Sequence, residues 1–375
     1  MGDGSPPEGD KVLDRYEYTS SICSYHPETN QGLKKTSRIL SQISEHLHYY
    51  TLIAIPVIVN SLTVCLNLGK NDVTNSNLVV IPAGLGKSTL THKILAESNP
   101  KYMISLPDRI YESLIADLPI DDFRRKVWVV DDLITSFGGL STKQREQLMG
   151  FFNSALSKRR YERQKKPPIS DIKISCMFGL ATENYDKYKK KMLQHTFLER
   201  VIPIKYSFDK VTVKDICRRN LNKDRSRKPK VVLPFRKNDV EISIPSELNE
   251  SILDCAMKLQ GVSSLSGTRG TEYIQNFVRA SALLNNRKEA CMCDINLFRQ
   301  ILPLHKGLSS DSWEANIRSL ILERSMKGER LMGRQIKDEL NANDTHISDV
   351  LSKIREDVFH RKISLERGYD YEYWL

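Results

Sequence analysis

A glycine-rich loop ending in Gly-Lys-Ser follows an apolar run in the sequence LVVIPAGLGKSTL. Gly84 and Gly86 allow the backbone to turn its N–H groups toward phosphate oxygens. Lys87 supplies a positive charge for the phosphates, and Ser88 supplies a hydroxyl ligand for Mg²⁺. Ile81 stands where the usual pattern has its first glycine, but the rest of the pattern is intact. We therefore predict an ATP and Mg²⁺ site, with the nucleotide bound by Pro82, Ala83, Gly84, Leu85, Gly86, Lys87, Ser88 and Thr89.

Two carboxylates and a polar strand end follow later apolar runs. In the sequence KVWVVDD we assign Asp131 to the Mg²⁺ shell and Asp132 to the attacking water. Glutamate is usual at the second position, and Asp132 is one methylene shorter, so we expect slow turnover. Asn184, with Thr182 as second choice, follows the next long apolar run and can help orient the water. These residues indicate hydrolysis of a nucleoside triphosphate.

Two arginines complete the predicted catalytic set. Arg200 precedes the last core strand, where a guanidinium can reach the γ-phosphate of a neighbouring subunit and stabilise transition-state charge. An ordinary ion pair between Arg200 and Glu199 is the alternative. Arg269 begins a helix whose N-terminus could face the nucleotide, and Arg279 is the reserve for this role.

Apolar runs alternate with helix-forming stretches around these residues. Strands are predicted at residues 78–81, 102–106, 126–131, 172–180 and 201–204. Ser141 and Gln144 form a capping-box signature at the start of a long helix between the third and fourth strands. Such alternation predicts an α/β fold, with a parallel sheet and helices on both faces.

The chain divides into five predicted segments. Residues 1–35 form a flexible leader, residues 36–210 the ATPase core and residues 211–240 a basic linker. Residues 241–305 are predicted to be an all-helical unit. Residues 306–375 contain three predicted helices and a hairpin, which is the pattern of a winged helix-turn-helix domain.

Composition indicates a protein of a reducing compartment. The seven cysteines are scattered, which argues against a disulfide framework. The first residues lack the features of a signal peptide. The longest apolar run, residues 51–66, contains Pro56 and Asn60 and is shorter than the ~20 residues that a membrane span needs. We therefore expect no membrane partner and a cytoplasmic, nucleoid or nuclear location rather than secretion.

The net charge of +11 is concentrated in two stretches. Residues 157–166 contain six basic and one acidic side chain, and residues 212–230 contain eight basic and two acidic ones. Localised positive charge indicates a polyanionic partner, with nucleic acid as the first candidate. A solvated helix end and an ordinary linker are the alternatives for these stretches.

The order of these motifs along the chain is the one that characterises AAA+ ATPases: the phosphate loop, the paired aspartates, the polar residue Asn184 after a strand, and the two arginines. Residues 37–304 resemble that family, which implies an AAA+ P-loop core, a helical lid and a ring or helical homo-oligomer with ATP at subunit interfaces. The resemblance implies the roles of Walker A, Walker B, sensor 1, arginine finger and sensor 2 for Lys87, Asp131 with Asp132, Asn184, Arg200 and Arg269, respectively.

Particular members of the family are most similar. The segments PAGLGKSTLTHKI and SGTRGTEYIQNFVR are similar to the bacterial Holliday-junction branch-migration motor. Residues 267–302 resemble the lid of minichromosome-maintenance helicases and archaeal origin-recognition initiators. All three groups end in a winged helix. The Asp-Asp pair and the basic insertion also resemble superfamily 3 viral and plasmid helicases.

The resemblance implies a role in DNA binding for the basic insertion at residues 158–169. In ring helicases this position can carry a hairpin that projects into the central pore and grips phosphates without reading sequence. The insertion would bind DNA through Lys158, Arg159, Arg160, Arg163, Lys165 and Lys166.

The C-terminal unit leaves DNA and protein partners open. Residues 306–375 contain 12 basic and 13 acidic side chains, whereas a strong grip on a duplex needs a positive surface. His360, Arg361, Lys362 and Arg367 could still form a local DNA-binding patch in the wing.

We therefore expect an oligomeric ATPase that couples hydrolysis to DNA binding, remodelling, helicase or loader activity. The alternative is a slow ATP-dependent switch or scaffold that assembles on DNA and recruits partners. A small-molecule kinase would use the same loop, but it gives the helical and winged-helix units no role.

Overall fold

The computed structural model describes residues 32–374, except residues 48–49, 69–72, 108–109, 111, 135–139, 164–165, 195, 209, 223–228, 261–266, 310–312, 327–328, 341–343, 356 and 366–367. Most of the predicted leader therefore lies outside the described residues. The end of that segment does not follow the prediction, since helix α1, Lys34–His46, begins inside it.

A parallel sheet forms the centre of the molecule. Its strands are β1 (Asn77–Ile81), β2 (Met103–Ser105), β3 (Arg124–Val130), β4 (Lys173–Ala181), β5 (Ile202–Ser207) and the short β6 (Leu308–Ser309). The strand order is β2-β3-β4-β1-β5-β6, and all neighbouring strands are parallel. The structure thus confirms the predicted α/β class and its five parallel core strands.

The apolar run ahead of β1 is helical. Helix α2, Thr51–Ser61, continues into a 3₁₀ turn at Leu62–Cys65, and nearly every residue of both is buried. Asn60 in α2 donates hydrogen bonds to Asn77 Oδ1 at 2.7 Å and to Tyr273 Oη at 2.8 Å. Buried polar groups need such partners, so this network ties α2 and a later helix to the amino end of β1.

Helices cover both faces of the sheet. One face packs on α1, α2, α3 (Thr89–Ala96, π-helical) and helices from the second half of the chain, α8 (Asn249–Gln260), α9 (Gly267–Leu284) and α10 (Met292–Lys306). The other face packs on α4 (Glu112–Asp117), α5 (Thr142–Lys158) and α6 (Thr182–Gln194). Side chains of β1 alternate between the faces: Leu78 and Val80 belong to one core, Val79 and Ile81 to the other. The predicted capping box is present at the start of α5, where Ser141 and Gln144 bond each other's backbone N–H.

The first part of the predicted basic linker is a helix, α7, Lys210–Asn222. Lysine and arginine are good helix formers, so a basic composition does not by itself indicate an irregular segment. Residues 231–244 then run back along the sheet, and the side chain of Asn99 holds them through hydrogen bonds with Val231 O at 2.9 Å and Leu233 N at 2.9 Å.

The C-terminal residues form three helices and a small antiparallel sheet around their own apolar core. The sheet has three strands rather than the two of the predicted hairpin, because a short strand before the second helix pairs with the last strand. Buried Arg318 joins this unit to α10 through a hydrogen bond to Gln300 Oε1 at 3.4 Å, and it is held within the unit by a second hydrogen bond to Asp357 Oδ2 at 2.7 Å. The elements are α11 (Trp313–Met326), β7 (Leu331–Met332), α12 (Gly333–Glu339), α13 (Asp344–Ile354), β8 (Phe359–Ser364) and β9 (Tyr369–Trp374).

None of the helices in the part of the chain that the structure describes combines the length and apolar character that crossing a bilayer requires.

Candidate functional site

The predicted phosphate loop connects β1 to α3. Gly84 and Gly86 have φ angles of +76° and +92°, in the left-handed region that favours glycine. A methyl group on Gly84 would meet no atom within 4 Å, so this side of the loop is open. The loop therefore has the backbone conformation and the free space that an anion needs for contact with main-chain N–H groups.

Lys87 lies across β4 at Gly179. A methyl group placed on Gly179 would lie 2.7 Å from Lys87 Cδ, 2.8 Å from Lys87 Cε and 2.1 Å from the carbonyl oxygen of Asp131. Only glycine leaves room for this arrangement. Burial lowers the pKa of Lys87, while Asp132 and Asp131 oppose this effect. The ammonium group is thus held near both predicted carboxylates.

Both carboxylates follow directly after β3. Asp131 Oδ1 accepts a hydrogen bond from Thr91 Oγ1 at 3.3 Å, which ties it to the helix that follows the loop. Asp132 Oδ1 accepts one from the backbone N–H of Ile134 at 2.9 Å. The carboxylates are therefore oriented by α3 and by their own turn.

The residues present fit the binding of Mg²⁺ together with a nucleotide. Among the described residues no cluster of three or more His, Cys, Asp or Glu side chains could hold a metal ion alone. Mg²⁺ is usually bound by one or two protein oxygens together with phosphates and water. Ser88, half-buried at the start of α3, and Asp131 offer such a pair.

The end of β4 contributes the predicted water-orienting residues. Thr182 and Asn184 lie in the first turn of α6, immediately after the strand. The Thr182 hydroxyl is buried and has no hydrogen-bond partner among the described residues. An orphaned buried hydroxyl is costly unless a ligand or water completes it, so Thr182 fits the role at least as well as Asn184.

The strand order brings these groups together. All core strands are parallel, so the loop, the carboxylates and the end of β4 lie at the carboxyl edge of the sheet. The chain leaves β1 for the far strand β2, returns through β3 to β4, and then crosses to β5 on the other side of β1. Open α/β sheets bind ligands at the carboxyl edge where the strand order reverses in this way.

The two predicted arginines lie at the opposite, amino edge of the sheet. Arg200 precedes β5, and Arg269 Nη1 donates to Glu199 Oε2 at 3.0 Å. These three side chains line a cavity of about 160 Å³ together with residues that precede β1, among them Val73 and Thr74. Within one chain, Arg269 therefore lies at the edge of the sheet opposite to the phosphate loop. The reserve, Arg279, is half-buried in α9.

Arg200 is held by its neighbours but keeps one unpaired donor. Its Nη1 donates to Thr196 O at 2.7 Å and Thr196 Oγ1 at 2.6 Å, and lies 4.0 Å from Glu199 Oε2. Its Nε is buried without a hydrogen-bond partner in the described structure. Burial and the nearby Arg269 lower the pKa of Arg200, which Glu199 opposes. The guanidinium thus has an unsatisfied donor and incomplete charge compensation.

The predicted DNA-binding insertion forms a narrow loop that packs on α4. Tyr161 and Ile169 exchange two backbone hydrogen bonds of 2.9 Å, as in a hairpin. Lys166 forms an ion pair with Asp117 at 2.5 Å, and Arg163 Nε donates to Pro167 O at 2.9 Å. Arg160 lies 2.6 Å from Glu162.

Of the three remaining basic residues of the insertion, the structure describes the side chain of Arg159 alone. Arg159 donates to Ile172 O at 3.2 Å. Lys165 and the side chain of Lys158 lie outside the described residues. Every described basic side chain of the insertion therefore already has a partner in its own chain.

Sequence reasoning missed a cluster of exposed lysines on α6, the helix that begins at the end of β4. Helix α6 carries four lysines that are all exposed, and in the described residues none of them forms a salt bridge. These lysines occur in the sequence YDKYKKK, which is shorter than the two basic stretches on which the prediction of a polyanionic partner was based. The four are Lys187, Lys189, Lys190 and Lys191.

The predicted basic residues of the C-terminal unit lie on β8. Arg361 is exposed and lies 3.3 Å from Glu372 on β9. The Lys362 ammonium is 3.9 Å from the ring centroid of Tyr369. His360 packs edge-on against Tyr371. Arg367 lies outside the described residues.

Gly179 and Tyr50 are the site residues that the sequence analysis did not identify. Gly179 lies inside the fully buried strand β4, and a glycine inside a strand often marks the close approach of another group. Tyr50 precedes α2 and reaches the phosphate loop from 36 positions upstream of Gly86, so no local pattern could identify it.

Comparison of the chain with protein-family models found no matching family, and comparison with curated proteins found no significant match.

Proposed function

We propose that the protein is an oligomeric ATPase of the AAA+ type that binds MgATP at the carboxyl edge of its sheet. The observation that carries the proposal is the position of Lys87, whose stem crosses β4 at Gly179 beside the backbone of Asp131. This lysine follows a loop whose two glycines have positive φ angles, and two carboxylates lie nearby. Such a set of groups suits a polyphosphate and a divalent cation better than any other ligand class.

Each residue of the carboxyl edge has a role in this proposal. The loop N–H groups and Lys87 bind phosphate oxygens, and Ser88 and Asp131 hold Mg²⁺, which supplies charge neutralisation when bound. Asp132 polarises the attacking water, and Thr182 or Asn184 orients it. Each of these groups is supplied by a strand end or by the first turn of a helix, so the sheet sets their spacing.

The amino edge suits contact with a second copy of the chain. Arg200 and Arg269 are too far along the sheet to serve the loop of their own chain, because a strand separates the two edges. The buried, unpaired Nε of Arg200 supports an anionic partner that completes it. In a head-to-tail oligomer the amino edge of one copy covers the carboxyl edge of the next, and both arginines then act on the neighbour's ATP.

In the same proposal the units beyond the sheet have the roles that the family resemblance implies. Helices α8, α9 and α10 form the lid, and α11, α12 and α13 with the three-stranded sheet form a winged helix. Docking of the C-terminal unit on α10 through Arg318 provides a route by which movement of the lid could reach it.

The charge distribution favours DNA as the partner. Helix α6 is the surface of the protein that is best placed to bind it. None of its four lysines forms an ion pair with a described residue, although the ammonium groups of Lys187 and Lys189 lie 5.4 Å and 5.9 Å from the centroids of tyrosine rings. The described cations of the insertion are held by backbone carbonyls or carboxylates. Helix α6 also begins with Thr182 and Asn184. A phosphate backbone on this helix would therefore contact the same element whose first turn contributes to the proposed nucleotide site.

Changing the four α6 lysines to glutamine should weaken DNA binding and flatten its salt dependence. Each lost phosphate contact is expected to reduce the slope of log K against log salt by about 0.7 for single strands. Fluorescence anisotropy with a labelled oligonucleotide at several salt concentrations measures the slope. The matched control removes the same charge from four exposed lysines elsewhere, Lys34, Lys35, Lys237 and Lys288. Equal slopes for the two variants would rule out a specific role of α6.

The alternative is a slow ATP-dependent switch that assembles on DNA and recruits partners. The observation in its favour is the hydrogen bond from Ile134 N to Asp132 Oδ1, which occupies an oxygen of an already short side chain. ATP-dependent assembly with negligible turnover would favour the switch, and DNA-stimulated turnover would favour the motor.

Changing Lys87 to alanine tests the site itself. We expect loss of detectable ATP binding, because the variant removes the lysine that crosses β4 at Gly179 and that would bind the phosphates. Calorimetric titration with ATP measures the effect. Lys93, an exposed lysine on α3, provides the control, and its alanine variant should bind ATP as the native protein does. Equal ATP affinity of the Lys87→Ala protein would remove the phosphate-loop assignment.

A further inference from the structure

The side chain of Tyr50 is buried against the phosphate loop with an unsatisfied hydroxyl. The residue is 2% exposed, and its hydroxyl oxygen has no hydrogen-bond partner among the described residues. A methyl group placed on Gly86 would lie 3.4 Å from this oxygen. Leaving a buried hydroxyl without a hydrogen-bond partner destabilises a protein, so the position of this hydroxyl calls for an explanation.

The ring is held in this position by packing. Tyr50 lies directly before α2, where Ala54 N donates to Tyr50 O at 2.8 Å. Its ring centroid is 5.5 Å from that of Phe208, which follows β5 and itself packs on Tyr206. The hydroxyl is therefore aimed at the loop by contacts on the ring, and it does not rotate away into solvent.

The chemistry of the hydroxyl is that of a donor. Burial raises the pKa of Tyr50, so the phenol keeps its proton at neutral pH. A phenol O–H donates well to an anionic oxygen, and such charge-assisted bonds are stronger than neutral ones. The neighbouring Gly86 belongs to the loop that would hold the phosphates.

We propose that Tyr50 donates a hydrogen bond to an oxygen of the bound nucleotide, on the Gly86 side of the phosphate loop. This inference rests on the proposed function, since it assigns a further binding residue to the same site. The contact involves the part of the nucleotide that ADP and ATP share, because Lys87 rather than Tyr50 lies beside the carboxylates. The orphaned hydroxyl is then satisfied only when the nucleotide is bound.

The variant Tyr50→Phe separates this role from a structural one. We expect its affinity for ATP and for ADP to fall by the same factor, about tenfold to a hundredfold for a hydrogen bond to a charged group. KM for ATP should rise while kcat changes little, since the bond is made equally in the ground state and the transition state. The unfolding temperature without nucleotide should stay the same or rise, because the variant removes an unpaired buried polar group.

The matched control is another buried tyrosine whose hydroxyl does have a partner. Tyr373 on β9 is 2% exposed and accepts a hydrogen bond from Arg355 Nε at 3.1 Å. Tyr373→Phe should lower the unfolding temperature of the free protein and leave nucleotide affinity unchanged. The two variants thus have opposite signatures in the same two measurements, calorimetric titration and thermal unfolding.

Three results would overturn the proposal. Tyr50→Phe could bind ATP and ADP as tightly as the native protein while Lys87→Ala does not bind, which would reject Tyr50 alone. Its unfolding temperature without nucleotide could fall as that of Tyr373→Phe does, which would make the role structural. Absence of nucleotide binding by the native protein would reject the proposed function and the Tyr50 contact together.

Discussion

Replacing Gly179 by alanine is expected to weaken ATP binding by about tenfold or more and to lower turnover by roughly a hundredfold, since a displacement of about 1 Å at a catalytic group can cost that much. The added methyl group would lie 2.1 Å from Asp131 O and less than 3 Å from two carbons of the Lys87 stem. Lys87, the turn at Asp131, or both must therefore move. Such overpacking also lowers the free energy of unfolding, typically by 1–3 kcal/mol.

A glycine with free space provides the control for this variant. Gly150 lies on an exposed face of α5, and a methyl group there would meet no atom within 4 Å. Gly150→Ala should leave ATP binding unchanged and raise stability slightly, by about 0.5–1 kcal/mol, because alanine favours helix. Calorimetric titration and thermal unfolding measure both variants. Native ATP affinity in Gly179→Ala would contradict the position that we assign to Lys87.

Replacing Arg200 by alanine should lower the rate of ATP hydrolysis by roughly 10³-fold and leave the affinity of each copy for ATP nearly unchanged. The reason is the position of Arg200 at the amino edge, from which, in the proposed oligomer, it acts on the ATP of a neighbouring copy. Arg200→Lys should restore little, because a single ammonium group cannot replace the planar guanidinium.

A surface arginine serves as the control for Arg200. Arg324 on α11 forms ion pairs with Glu329 at 2.8 Å and Glu339 at 2.9 Å and lies outside the proposed site. Its alanine variant should hydrolyse ATP at the native rate. Steady-state phosphate release at saturating ATP measures all three variants, and native turnover by Arg200→Ala would exclude its role.

Much of the fold was predictable because its signals are local. The central strands β1 and β4 are buried along their whole length between two helical layers, and runs rich in apolar residues are typical of central parallel strands. The start of α5 was predictable from Ser141 and Gln144, whose reciprocal bonds need only adjacent residues. The order of the strands has no such local signal in the sequence. That order determines which residues lie close together in the fold.

The position of Arg269 shows this limit. Its place in the sequence suggested a helix N-terminus near the nucleotide, but α9 begins at the other edge of the sheet, where Glu199 binds the guanidinium. The position of Tyr50 depends in the same way on packing against Phe208, which is distant in sequence. Helix α7 was missed for a different reason, since its charge was read as a linker although lysine and arginine favour helix.

The central claim is that ATP is hydrolysed between copies, with Lys87 and Asp132 from one and Arg200 from the next. Mixing two variants that are each inactive, Asp132→Asn and Arg200→Ala, tests it most directly by phosphate release. If the copies exchange at random, about a quarter of the interfaces combine an intact carboxyl edge with an intact amino edge, so we predict that the mixture regains about a quarter of native turnover. A mixture that stays as inactive as its separate components would contradict the account.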